Sequence, residues 1–287
     1  MEKSLAIALP TCSNRNEDIR IGYILEALAL QSSSDFYDSL ELFIWDEGAV
    51  PITTDRWVQL ALELLVRRGH KPIYMRRGPS RGVAVARRSL IDAIPAAHDR
   101  ILFIDDDLIP APDSLNALLA EASRLNTYGF LQGSKVELDA SRTYYNDINS
   151  LTEESTDAIL KPLYFGDAAF LLIKRDALRH VKWDIVTRFS EEGLPGEDVA
   201  MTLMIADREP CFGVPAAVGY HMSLAKPRWR WEVPSDILQF ELLKEVVSAQ
   251  TLERALPHLA KYVGLGRKSG DEDDVPLHSS GNGGFAP

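Results

Sequence analysis

Short apolar runs and helical stripes take turns along the first half of the chain. The run Leu5–Leu9 in "SLAIALP" is continuous rather than alternating, as a strand buried on both faces requires, and Pro10 is expected to stop it. Ile21, Ile24, Leu25 and Leu28 then recur at the three- and four-residue spacing of one helix face. "LELFIWDEG" reads as a second strand that ends in acids and Gly48. Trp57, Leu60, Ala61, Leu64 and Leu65 mark a helix that "RRGH" closes at Gly69. "KPIYM" is a short strand, Gly82 to Ile94 a helix ended by Pro95, and "RILFIDDD" a further strand. Leu115, Leu118, Leu119, Ala122 and Leu125 then mark the next helix. Four strand–helix alternations predict an α/β fold with a doubly wound, mainly parallel sheet covered on both faces. Ligands of such sheets sit at the carboxyl ends of strands. Thr11, Asp46 and Asp105–Asp107 all fall at such ends.

The second half alternates less regularly. "YFGDAAFLLIKRDAL" holds a strand and the start of a helix, "GEDVAMTLMIADRE" a helix that begins with its acids, and "CFGVP" and "AVGYH" two short strands. Helical periodicity returns around Leu238, Leu242, Val246, Leu252, Leu256 and Leu259. From Gly264 the composition turns to glycine, serine and acids and predicts a disordered tail.

Composition narrows the function more than the fold. Of 287 residues, 46% are hydrophobic and 25% charged, as in ordinary globular proteins. The net charge of −11 gives no bulk attraction to nucleic acid or anionic membrane. The two cysteines, Cys12 and Cys211, form no CxxC pair, which argues against a disulfide framework or zinc site and for a reducing cytoplasm. No apolar run is long enough to span a membrane.

Three adjacent carboxylates repel one another, so "IDDDL" is either a solvated turn or a cation site. Alternate residues of an extended strand end point the same way. Asp105 and Asp107 would then face one cation, with Asp106 pointing elsewhere. Carboxylate oxygens suit Mg²⁺ or Mn²⁺ with a diphosphate completing the shell. Glu197 and Asp198 at a helix start are either favourable charges against the dipole or a general base. His221, at a strand end, is either structural or a third metal ligand. Arg87, on a helix after a glycine turn, can reach a diphosphate with two parallel hydrogen bonds. "KPRWRWE", with Trp229 and Trp231, suits a loop over a sugar or nucleotide, or a packed hairpin.

In order, "ALPTCSNR", "FIWDEG", "RGVAVARRSL", "FIDDDLIPAPDSL", "FGDAAFLLIKRDAL", "GEDVAMTLMIA" and "GYH" resemble the signposts of GT-A-fold glycosyltransferases of the family-two kind, over roughly residues 4–222. The resemblance implies a metal-dependent transfer of a sugar from a nucleoside diphosphate, with UDP as the expected nucleotide, to an acceptor hydroxyl. It places Thr11, Asp46, Arg87, Asp105 and Asp106 on the donor nucleotide. It places Asp105, Asp107 and His221 on Mn²⁺ or Mg²⁺. Asp198 becomes the base of an inverting reaction, with Gly166, Asp167, Glu197 and Trp231 near donor sugar and acceptor. Two departures stand out: Glu47–Gly48 where many members have a second aspartate and a serine-containing turn, and Arg88 where asparagine is usual. The expected organisation is a GT-A domain at 1–222, with a nucleotide half at 1–110 and an acceptor half at 111–222. A C-terminal loop and helices at 223–263 and the tail at 264–287 follow. A retaining reaction, a non-catalytic sugar-binding module, and small-molecule, glycan or modified-DNA acceptors are the competing readings. A nucleotidyltransferase is disfavoured, since "LPTCSNRN" has no glycine-rich phosphate loop. The oligomeric state is open.

Overall fold

The computed structural model describes residues 3–12, 19–77, 80–137, 160–192, 196–222 and 242–263. Trp231 and the expected tail lie outside them. In chain order the elements are β1 (Ser4–Thr11), α1 (Ile19–Ala29), β2 (Ser39–Asp46), α2 (Arg56–Arg67), β3 (Lys71–Arg76), α3 (Val83–Ala93), β4 (Arg100–Ile104), β5 (Leu108–Pro110), α4 (Ser114–Arg124), β6 (Phe130–Glu137), β7 (Lys161–Pro162), β8 (Phe170–Lys174), α5 (Trp183–Glu191), α6 (Glu197–Ala206), β9 (Phe212–His221) and α7 (Ala249–Val263).

The described strands form one sheet in the order β3-β2-β1-β4-β8-β6-β9-β5, with β7 beside β9. Strands β1–β4 run parallel. β8 lies antiparallel between β4 and β6, and β6 and β9 are again parallel to each other. Six of the nine strands therefore share one direction. The continuous apolar runs are explained by burial on both faces. In β1, Ala6 and Ala8 join the core under α3, α5, α6 and α7, while Leu5, Ile7 and Leu9 join the core under α1, α2 and α4. Ala84 and Ala86 of α3 share a core with Ala6 and Ala8 of β1, and these small side chains let the helix lie close to the strand.

Three expectations change. β1 runs through Pro10 to Thr11, because its ladder with β4 covers only Ala6–Ala8 and asks nothing of a missing N–H beyond it. "CFGVP" and "AVGYH" belong to one strand, β9, with a register break against β6 between Gly133 and Ser134. On α2 the buried residues are Val58, Ala61 and Leu65, while Trp57 and Leu60 stay exposed. No helix among the described residues is long and apolar enough to cross a membrane.

Candidate active site

The carboxyl ends of β1 and β4, the ends of β6 and β9 and the N-termini of α3 and α6 surround a cavity of about 640 Å³. Seven carboxylates line it: Glu47, Asp105, Asp106, Asp107, Asp167, Glu197 and Asp198. Most of them are already engaged, and their partners define the site.

The three aspartates after β4 do not continue the strand. They form a turn in which the Leu108 N–H donates to the Asp105 carbonyl (3.3 Å) before β5 begins. A turn splays successive side chains, so the expected pairing of Asp105 with Asp107 on one side gives way to three separate partners. Asp105 accepts from Arg87 Nη2 (2.8 Å). Asp106 accepts from the Thr11 hydroxyl of β1 (2.8 Å). Asp107 Oδ2 lies 3.3 Å from His221 Nε2, brought there because β5 pairs with the end of β9. The strand-end residues Thr11, Asp105–Asp107 and His221 thus converge on one cavity.

Arg87 is 3% exposed. Its second nitrogen, Nη1, donates to Glu197 (2.6 Å), so one guanidinium joins the β4 turn to the start of α6. Burial works against its charge, but Asp105, Glu197 and Asp198 more than offset this and hold it protonated. Its Nε has no hydrogen-bond partner among the described residues. Burial raises Asp105 to about 6, with repulsion from Asp107 and Asp167 adding to it and Arg87 opposing. Both helices that meet here start at glycines with positive φ: Gly82 (96°) before α3 and Gly196 (91°) before α6.

Asp198 differs from its neighbours. One carboxylate oxygen accepts from the adjacent Val199 N–H (2.8 Å), and the other takes no hydrogen bond from any described residue. Burial, then repulsion from Glu197 and Asp167, pushes it up to about 8 against the pull of Arg87. Asp167 goes the other way. Burial alone would raise it, but the ion pair with Lys135 and the Ala169 N–H (2.8 Å) hold it at about 2.

Asp46 is fully buried and is not among the residues that line this cavity. Its carboxylate accepts from the Gly48 and Ile52 N–H groups (2.8 and 3.0 Å) and the Tyr74 hydroxyl (2.6 Å), which fixes the loop after β2. That loop carries Glu47 into the cavity instead, held by the Trp45 indole N–H and the Arg81 N–H (both 3.0 Å). Gly166 is also buried behind the wall. A Cβ there would come within 2.5 Å of Gln132 Oε1, so the glycine serves packing. Lys135 was not anticipated from sequence. Its only signal is a lone cation in the strand "FLQGSKVE".

The donor set can be tested for a cation. Among the described residues, no three His, Cys, Asp or Glu side chains are grouped to hold a metal ion. Asp105 is committed to Arg87. The Asp107–His221 pair remains, and a carboxylate with an imidazole fits a Mn²⁺ or Mg²⁺ ion that shares its shell with a diphosphate.

A family model described as glycosyl transferase family 2 matches residues 12–182. No curated protein sequence matches the chain significantly. Among solved structures, S. aureus TarS 1–349 aligns with a TM-score of 0.64 at 17% identity, covering 96% of this chain and 76% of that one. The same fragment in complex with UDP-GlcNAc gives 0.62 at 16% identity, with the same coverage. GalNAc-T7 with UDP, GalNAc and Mn²⁺ gives 0.52 at 11% identity, over 90% of this chain and 48% of that one. At these identities the likeness is one of fold, and it extends past the matched family segment.

Proposed function

The chain belongs to glycosyl transferase family 2 and is a glycosyltransferase, and from that premise we propose that it moves a sugar from a UDP-sugar to an acceptor hydroxyl with inversion, using Asp198 as the general base. The observation that carries this is the contrast within the cavity. Asp198 keeps one carboxylate oxygen without a partner among the described residues, and its proton affinity is raised to about 8. A pKa near the working pH makes the ionised carboxylate basic enough to take a proton from an attacking hydroxyl. A UDP-sugar donor is supported by the match to TarS crystallised with UDP-GlcNAc.

The chain's residues divide the work. Thr11 and Asp106 clasp each other at the donor end, where they would position the nucleotide. Asp107 and His221 would hold Mn²⁺ or Mg²⁺, in keeping with a similar fold crystallised with Mn²⁺. When bound, the cation neutralises charge on the diphosphate leaving group. Asp167, kept ionised by Lys135, would accept hydrogen bonds from sugar or acceptor hydroxyls. Asp198 orients the acceptor hydroxyl and receives its proton on the face opposite the leaving group.

The test is Asp198→Asn, measured by UDP release and by calorimetric UDP binding. Turnover should fall by roughly 10²–10⁴-fold, the usual range for a positioned acid–base group, with UDP affinity nearly unchanged. Near-normal turnover would remove Asp198 from the chemistry.

A further inference from the structure

Arg87 lines the cavity, yet both of its terminal nitrogens are spent on carboxylates of the protein. Those carboxylates come from different segments around the site. Asp105 belongs to the turn after β4, and Glu197 to the first turn of α6. The contacts are short, 2.8 and 2.6 Å, and the guanidinium is almost without solvent. A buried cation held by two charge-assisted bonds is costly to pull away from either. A diphosphate competing for it would have to leave Asp105 or Glu197 unpaired in a cavity already crowded with acids.

We propose that Arg87 is a positioning residue that fastens the acidic start of α6 to the β4 turn, and that it does not bind the donor. The idea rests on the reading of Asp198 as base, and it says how that base is placed. Glu197 and Asp198 are adjacent on the same helical turn, so fixing Glu197 fixes Asp198 relative to the aspartate turn. The fork geometry is what allows one side chain to hold both segments. A lysine ammonium is a point charge without that planar fork. Gly82 adds to the anchoring. Its positive φ starts α3, and its missing Cβ admits Ser190 of α5, whose hydroxyl accepts from the Ala84 N–H (3.2 Å). The helix that carries Arg87 is thereby held at its own first turn.

The experiment is a double-mutant cycle of Arg87→Met and Glu197→Gln, read by thermal stability and UDP affinity, with UDP release from UDP-GlcNAc in the presence of Mn²⁺ as a third readout. The bridge predicts non-additive stability losses, because Glu197→Gln removes little once Arg87 is gone. It also predicts that Arg87→Met binds UDP within fivefold of the wild type. Turnover should drop on the order of 10²-fold, the scale for a misplaced catalytic group. Arg87→Lys should keep UDP affinity and recover only part of the turnover. Should Arg87→Met fail to fold, the neutral, polar Arg87→Gln takes its place in the cycle with the same expectations. Additive stability losses, or a fivefold or greater loss of UDP affinity with saturated turnover intact, would overturn the bridge. A wild-type protein that binds no UDP would defeat the donor reading instead, while the stability cycle still decides the bridge.

Discussion

Asp198 and Asp167 sit in one cavity and are driven in opposite directions, which gives the protein a pH signature. An aspartate raised to about 8 binds its proton more tightly when folded than when unfolded. Its contribution to stability is full below about pH 4 and is lost as the pH rises towards 8. Asp167, lowered to about 2, contributes stability above about pH 4 that disappears only in stronger acid. Asp198→Asn should therefore gain melting temperature relative to the wild type as the pH is raised from 5 to 8. A difference that stays constant across that range would show that Asp198 is not buried against its neighbours' charge. The kinetic counterpart is a rising limb of kcat/KM whose midpoint lies well above an ordinary carboxylate, absent in Asp198→Asn. At the cation pair, Mn²⁺ should support turnover at least as well as Mg²⁺, because imidazole suits the softer ion. His221→Ala should abolish that preference and weaken Mn²⁺ binding measured by titration. An unchanged Mn²⁺ affinity would take His221 out of the site.

At the level of elements, the site depends on how α3 begins. Gly82 has φ 96°, and a Cβ there would lie 2.6 Å from Ser190 Cβ. Gly82→Ala should lower stability by about 1–3 kcal/mol from a positive-φ extended backbone that essentially only glycine adopts, with the clash adding to it. Denaturant unfolding measures this, and a neutral result would mean that α3 can start elsewhere. The helix and strand sequence of the first 125 residues was legible because β1, β2 and β4 are buried on both sheet faces and each helix on one, so periodicity reported it directly, while the edge strand β3 is only half-buried. What was not legible depends on contacts distant in sequence. The Asp105–Asp107 run looked like a strand end, and only the pairing of β5 with β9 makes it a turn that hands each carboxylate to a different partner. Asp46 and Glu47 are neighbours with similar chemistry. The choice of which faces the cavity is made by Tyr74 and by the Gly48 and Ile52 N–H groups. Lys135 gave only a lone cation as a signal, because its partner Asp167 lies 32 residues away.

Across the whole molecule, the last described helix, α7, belongs to the same core as the site. Leu252 and Ala255 of α7 are buried with α6, whereas Leu256 is 42% exposed. Leu252→Ala should cost about 2–5 kcal/mol, and Leu256→Ala within about 0.5 kcal/mol of nothing. Equal effects in urea unfolding would mean that α7 docks differently. The antiparallel insertion of β8 has a consequence during synthesis. β1 to β4 can pair as soon as they leave the ribosome, but the free side of β4 receives its neighbour only when Phe170–Lys174 has been made. Phe170 follows Ile104 by 66 positions. At roughly 5–20 residues per second, that leaves the edge open for several seconds. The exposed edge is "ILFI", an uncharged apolar strand of the kind that pairs with other chains. Nascent chains arrested near residue 150 should therefore capture chaperones or aggregate more than chains arrested beyond residue 210, so the strand that covers β4 also ends the period in which the growing polypeptide is most prone to mispairing.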